Sequence, residues 1–423
     1  MEYAVRRWMH CFYLFFLIIS ACSTNVGSNT SSLSSIDSFS INNHAGTING
    51  NNINVALPVG TNLNLLVATF TTTGSYVTVG GSLQISGTTE NNYTNPITYV
   101  VHAADGSTNS YTVTTSMLPI YAIFTNLNNG TYTQCLVNES GIESNTCTVG
   151  QPSYGPLNYP YAVSVVNNHV YFINERANSY THCYLGESGI ESSTCVEILP
   201  QLNGESQLLG PTGIAFTANY VYIGNQGVTY NSNPTAAYTQ CRVSESGVIA
   251  ADSCRIIIPE AFANSAGSAP AISGIAFAES YVYFTDSIAS QYYLCNNNPT
   301  TGLIESSTCI TTPPLVSNNT PAGVLVLGNY IYFADNGAND YTECQLFPSG
   351  YINNLSCNSF ITIPSNNQVG LAAYGNYAYF ANSGNNSYTQ CSINNNLILS
   401  NTCFTVNVPQ LNNPYGIFIY ALQ

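Results

Sequence analysis

One segment of this chain returns six times, and that recurrence limits the fold more than any other feature. It reads YTQCLVNESGIESNTC at Tyr132–Cys147 and YTHCYLGESGIESSTC at Tyr180–Cys195. It comes back with drift at Tyr238–Cys254, Tyr292–Cys309, Tyr341–Cys357 and Tyr388–Cys403. The first cysteines of successive copies stand 48, 58, 54, 49 and 47 residues apart. A period of roughly 40 to 50 residues fits a four-stranded propeller blade, and some helical repeats as well. Helical repeats need apolar residues at 3.6-residue spacing among good helix formers. These copies instead set Tyr, Val, Ile and Thr between Asn and Gly, the composition of short strands and turns.

Each unit keeps one internal order. An apolar first strand, as in TGIAFT (Thr212–Thr217) or SGIAFA (Ser273–Ala278), precedes an aromatic second strand, as in YVYFT (Tyr281–Thr285) or YIYFA (Tyr330–Ala334). The two cysteine-bearing strands then close the unit. Second strands begin near Tyr121, Val170, Tyr220, Tyr281, Tyr330 and Tyr377, and first strands near Tyr161, Thr212, Ser273, Ala322, Val369 and Tyr415. The series therefore opens on a second strand without an inner partner and ends on YGIFIY (Tyr415–Tyr420), an inner strand without the rest of its blade. Joined, they make one composite blade, which removes both free sheet edges and closes the ring at six. The expectation is an all-β chain with a six-bladed propeller over residues 117–423. These motifs resemble the NHL and YVTN-type propellers, a likeness that implies fold and leaves function open.

The twelve propeller cysteines form six pairs separated by 12, 12, 13, 14, 13 and 12 positions. Gly141, Gly189, Gly247, Gly302 and Gly350 lie at or beside the midpoints of the first five, and the sixth midpoint is Leu397, after three Asn. Gly and Asn accept the positive φ of a hairpin turn, and a turn there sets the two cysteines across antiparallel strands. Opposed Cα atoms fall within disulfide reach. The competing zinc reading lacks close C-x-x-C spacing. Six links are expected: Cys135–Cys147, Cys183–Cys195, Cys241–Cys254, Cys295–Cys309, Cys344–Cys357 and Cys391–Cys403.

Such bonds need an oxidising compartment, and the N-terminus supplies the route. Arg6 and Arg7 precede an apolar run, Phe12–Ile19, too short to span a bilayer, which ends in Ile19-Ser20-Ala21-Cys22. That ending resembles a bacterial lipobox, which implies a signal over residues 1–22, lipidation of Cys22 and a lipid-anchored place in the cell envelope, at the outer membrane or cell surface. Residues 23–34, mostly Ser, Thr, Asn and Gly, read as a tether. Residues 35–116 contain no cysteine and alternate apolar with polar residues in seven short stretches, the arithmetic of an Ig-like β-sandwich. The stretches GTINGNNINVALPVGTNL, LVATF and TNPITYVVHAADGSTNSYTV resemble small Ig-like modules of bacterial surface lipoproteins.

Composition excludes whole classes of partner. Charged residues make up only 6% of the chain, there is no Lys, and removal of the signal leaves a net charge of −16. Three remaining Arg (Arg176, Arg242 and Arg255) cannot neutralise a nucleic-acid backbone. Acidic polymers are repelled, so protein or neutral glycan partners are favoured.

No catalytic constellation is present: neither a G-x-S-x-G elbow, nor H-E-x-x-H, nor a P-loop. His44 and His102 stand alone, and His169 and His182 are the only propeller histidines. Glu139, Glu187 and Glu245 sit at hairpin turns as surface charges. One polar position recurs just past each second strand: Asn126, Asn174, Asn225, Asp286, Asp335 and Asn382. As turn-starting Asx residues they would bond their own backbone. Gathered at one face they would form a ligand-binding ring, or an all-oxygen site suited to Ca²⁺. The blades look alike apart from insertions at Val228–Ala237 and Ala261–Ala271, which favours a non-catalytic binding scaffold without cofactor or metal. The alternative is a propeller enzyme of the lactonase, esterase or lyase kind with Ca²⁺ in its channel.

Overall fold

A computed structural model describes residues 30–230, 233–263, 271–312, 320–336, 340–361 and 367–422. The lipobox with Cys22 and most of the tether lie outside these residues. The chain divides into two compact units, one running to Val55 and from Asn62 to Thr115, the other holding Ala56–Thr61 and everything from Ser116.

The first unit is a two-sheet sandwich. One sheet orders His44–Ala45, Ile36–Ile41, Leu66–Thr72 and Glu90–Asn91; the other orders Thr47–Asn49, Asn52–Leu57, Thr108–Met117, Ile97–His102, Tyr76–Val79 and Ser82–Gln84. Alternation builds its core: in the strand that begins at Asn52 the residues Ile53 and Val55 are buried, and Asn52 and Asn54 are exposed. Phe39 and Phe70 of one sheet meet Tyr99 of the other edge-on, with ring centroids 5.1 and 5.8 Å apart.

The second unit is a propeller of six antiparallel sheets. Its inner strands are Pro414–Ala421, Pro160–Val166, Pro211–Phe216, Ile272–Ala278, Pro321–Leu327 and Gln368–Tyr374, for blades one to six in turn. Each inner strand contacts the next, and the sixth returns to the first. Blade one is composite as expected: Ile120–Asn126 pairs antiparallel with Pro414–Ala421, with Tyr121 opposite Tyr420 and Ile123 opposite Phe418. Every residue of Ile120–Asn126 is buried. The recurring glycine of the inner strands permits the close approach that the ring demands. A Cβ at Gly274 would lie 2.7 Å from the Ala322 carbonyl of the next blade, and Gly323 and Gly370 press on Val369 and Tyr415 in the same way.

All six cysteine pairs are bonded, with Cα atoms 4.0 to 4.2 Å apart. The turns between them use positive φ, 110° at Gly141 and 90° at Gly247, with Asn395 and Asn396 at 49° and 66° in the sixth. A further device sits beside each bond. The pairing slips where the first cysteine lies, as between His182 and Tyr184, and the Ser or Thr before the second cysteine bridges the gap. The Thr194 hydroxyl accepts from the Tyr184 amide at 2.9 Å and donates to the Glu191 carbonyl at 2.7 Å. Thr146, Ser253, Thr308, Ser356 and Thr402 accept in the same way.

The disulfide hairpins also join neighbouring blades. Second-strand hydroxyls of Tyr121, Tyr171, Tyr222, Tyr283 and Tyr332 donate to carbonyls at the next hairpin's tip (Glu187, Gly247, Gly302, Gly350 and Asn396), at 2.7 to 2.8 Å. Tyr283 also accepts from the Ile352 amide at 3.0 Å, so one hydroxyl serves two buried backbone groups. Tyr283→Phe leaves both unpaired and is expected to cost about 1–3 kcal/mol. Urea unfolding checks this; an unchanged midpoint would show that the latch contributes nothing.

The insertion at Val228–Ala237 extends the blade-three hairpin, pairing Val228 with Thr235. The other insertion contributes a short helix, Glu260–Ala263, which buries Phe262 against Tyr293 with centroids 4.1 Å apart.

Candidate functional site

The six recurring Asx residues are buried within their blades and are not gathered as an open ring. All are at most 1% exposed, and their bonds turn inward to their own blades. Asn126 donates to Thr131 and Thr133 at 2.9 Å and accepts from the Asn412 amide at 3.0 Å. Asn174 holds Ser179 and Thr181; Asn382 holds Ser387 and Thr389. Asn225 joins Thr239 to the Leu209 amide. Asp286 accepts from the Ala271, Ile288 and Ala289 amides and from the Tyr293 hydroxyl, so it does start its own turn. Asp335 accepts from Thr342 at 2.9 Å. These bonds make knots that tie the second strand to the third and, in blades one, three and four, to the segment entering the inner strand. Burial raises the Asp286 carboxyl above its ordinary range and pushes Asp335 up to about 8.

One residue later the chain becomes half-buried at Glu175, Gln226, Asn336 and Ser383, while Leu127 of blade one stays buried. Leu127, Glu175, Gln226, Asn336 and Ser383 directly follow an Asx knot. Each donates its amide to the carbonyl of the residue just before its blade's inner strand: Asn413, Tyr159, Gly210, Thr320 and Asn367. Four of those partners take left-handed φ: 61° at Tyr159, 57° at Gly210, 53° at Asn367 and 54° at Asn413. Gly and Asn suit that conformation; a bulky Tyr does not. Tyr159 is therefore held against its preference, a condition that clusters at functional positions.

All of these residues except Gly210 and Thr320 line a cup of about 580 Å³ at one mouth of the channel, with Arg176, Tyr161 and Tyr415. Its electrostatics concentrate in blade two. The Arg176 guanidinium lies 3.8 Å above the Tyr159 ring, a cation–π contact, and its Nε is 3.8 Å from Glu175 Oε2. Glu175 Oε1 accepts from Gln226 at 2.8 Å. One acid and one base compensate each other, and amides and hydroxyls supply the other polar groups. Tyr161 and Tyr415 form the floor, their hydroxyls 2.7 Å apart and their rings 4.0 Å between centroids. Burial raises both phenols, Tyr415 well above the ordinary value, so both remain neutral donors. The same two tyrosines line the channel below, a cavity of about 500 Å³ walled by inner-strand residues such as Ile214, Val324 and Ile417.

Blade asymmetry, expected to be confined to the insertions, is thus concentrated at the axis. The second inner-strand residue runs Tyr161, Thr212, Ser273, Ala322, Val369 and Tyr415 around the ring. Comparing equivalent positions across the repeat would have found the cup.

Known proteins add one match in the first unit. A family model described as SGBP, N-terminal, fits residues 36–115. No curated protein matches the chain. Among solved structures, a chain from a nidogen/laminin complex is similar at 13% identity and a TM-score of 0.51, covering 72% of this chain and 99% of its own length. A periplasmic gluconolactonase of Pseudomonas aeruginosa is similar at 11% identity and a TM-score of 0.49, covering 72% of this chain and 100% of its own. Likeness at such identities concerns fold alone, and the neighbours are propellers.

The remaining candidates do not line the cup. Glu139, Glu187 and Glu245 are exposed at their turns. His102 stacks on Tyr76 and meets the Thr78 hydroxyl at 3.0 Å. The two propeller histidines, unpaired in the sequence, are brought together: His169 Nδ1 lies 2.7 Å from His182 Nε2 across adjacent strands. Burial, then the charge of His169, lowers His182 to about 4. Among the described residues, no three His, Cys, Asp or Glu side chains are grouped so as to hold a metal ion.

Proposed function

We propose that this chain is a lipid-anchored surface protein that captures glycans without cleaving them. The observation that carries the reading is the fit of residues 36–115 to the SGBP N-terminal model, SGBP standing for surface glycan-binding protein. The cup supports it: aromatic rings, amides and a compensated charge pair are groups that meet sugar hydroxyls and C–H faces. A net charge of −16 on the processed chain favours neutral glycans over acidic ones.

The test is retention of the full chain in gels cast with galactomannan, xyloglucan, mixed-linkage glucan, amylopectin or polygalacturonate. Retardation by a neutral polymer, with no sugar released on long incubation, is the expected result. Retardation by none, or release of product, would defeat the reading. The anchor has its own measurement. Cys22→Ser should move the protein from the membrane fraction to the soluble exported fraction, and unchanged detergent partitioning would refute lipidation.

A further inference from the structure

We infer that the cup takes the terminal residue of a neutral glycan end-on, with Tyr159 as a wall and the Tyr161–Tyr415 pair as the floor. This inference rests on the glycan-binding reading and adds the place and direction of entry. Residues from five blades surround the axis, among them Leu127, Glu175, Gln226, Asn336 and Ser383. A ligand that meets them together points along the axis; a chain lying across the mouth touches only the rim.

The floor and wall favour the same mode of entry. The two tyrosine hydroxyls carry two protons and share one mutual bond, which leaves one O–H available to an oxygen at the bottom of the cup. Burial keeps both phenols protonated, so that donor persists across ordinary pH. The cup's volume of about 580 Å³ is within the range of small-ligand pockets. The channel continues below, but its walls are mainly apolar inner-strand side chains, unsuited to a hydroxyl-rich chain. Glu175 and Arg176 compensate each other, so the cup presents no unpaired cation to an acidic sugar.

Tyr159 is the discriminating residue because its backbone favours a different side chain. Its φ of 61° matches Gly210 at 57° and Asn413 at 54°, where the chain uses tolerant residues. Tyr159→Asn should therefore fold as well as the parent or better, while losing the wall. A truncation that only damaged the fold would do the opposite.

The experiment titrates the full chain with whichever neutral polysaccharide retards it, and with oligosaccharides of increasing length cut from that polymer. Affinity should level off after about three sugar units, and partial endo-hydrolysis should raise binding per mass by multiplying ends. Tyr159→Asn should weaken binding at least about tenfold with an unchanged or higher melting temperature, and the double change of Tyr161→Phe with Tyr415→Phe, which removes both floor hydroxyls, about three- to tenfold. Affinity that keeps rising with length would overturn the end-on mode. Full binding by Tyr159→Asn would remove the site from the cup while leaving glycan capture intact. Failure of every polysaccharide to bind the parent chain would remove the function itself and this inference with it.

Discussion

A chain cut before Pro414 is expected not to form a cooperative fold. The missing strand is the inner strand of blade one, paired along its length with Ile120–Asn126. Its loss exposes Ile120, Ala122 and Phe124, and it removes Ile417 from their cluster. Burying one such side chain contributes about 1.5–3 kcal/mol, so the loss approaches the whole stability of a domain, about 5–15 kcal/mol. The Asn126 knot also loses its footing, because its partner Asn412 is left next to a chain end. The shortened protein should bind a hydrophobic dye and show no sharp thermal transition. A synthetic peptide of residues 411–423 added during refolding should restore the transition by supplying the strand in trans. Cooperative melting within a few degrees of the intact chain, without the peptide, would show that ring closure carries little of the stability.

The ring itself was legible because its determinants are periodic. Cysteine spacing, turn glycines and the split first blade are one-dimensional signals, and the structure follows them to within a residue or two at strand starts: Tyr161 was expected where Pro160 begins. The cup lies one residue beyond the polar position that recurs in the sequence. Recurrence at Asn126, Asn174 and their equivalents reflects a demand that every blade shares, namely satisfying buried backbone between strands. The cup's asymmetry lies in residues that the repeat does not predict, such as Tyr159 where blades one, three and six carry Asn413, Gly210 and Asn367. The Ser or Thr before each second cysteine was equally visible, but its role depends on a slip in strand pairing that sequence spacing does not reveal.

The largest effect of a single side chain is expected from Asp335→Asn, and its sign depends on pH. Burial pushes this carboxyl up to about 8, opposed by the Thr342 hydrogen bond and reinforced by the charge of Asp340. The unfolded value is about 3.9. Below about pH 4 both states hold the proton, and the group costs nothing. As pH rises from there to about 8, the unfolded chain gives up the proton while the folded chain keeps it, so the folded state loses stability; above that range the loss is complete. Four other blades place Asn at this position, where Asn382 donates to Thr389 at 3.1 Å. The amide introduced by Asp335→Asn would find Thr342 in the matching role. Each pKa unit corresponds to about 1.4 kcal/mol. The variant should therefore match the parent near pH 4 and exceed it by several kcal/mol at about pH 9. The His169–His182 pair runs in the opposite sense: with both imidazoles lowered, its contribution falls as pH drops from about 6.5 to about 4. Both proteins share that trend, so the difference between their urea midpoints isolates Asp335. Parallel profiles from pH 4 to 9 would mean that the carboxylate is already ionised in the folded blade, and that burial at this knot does not set its proton affinity.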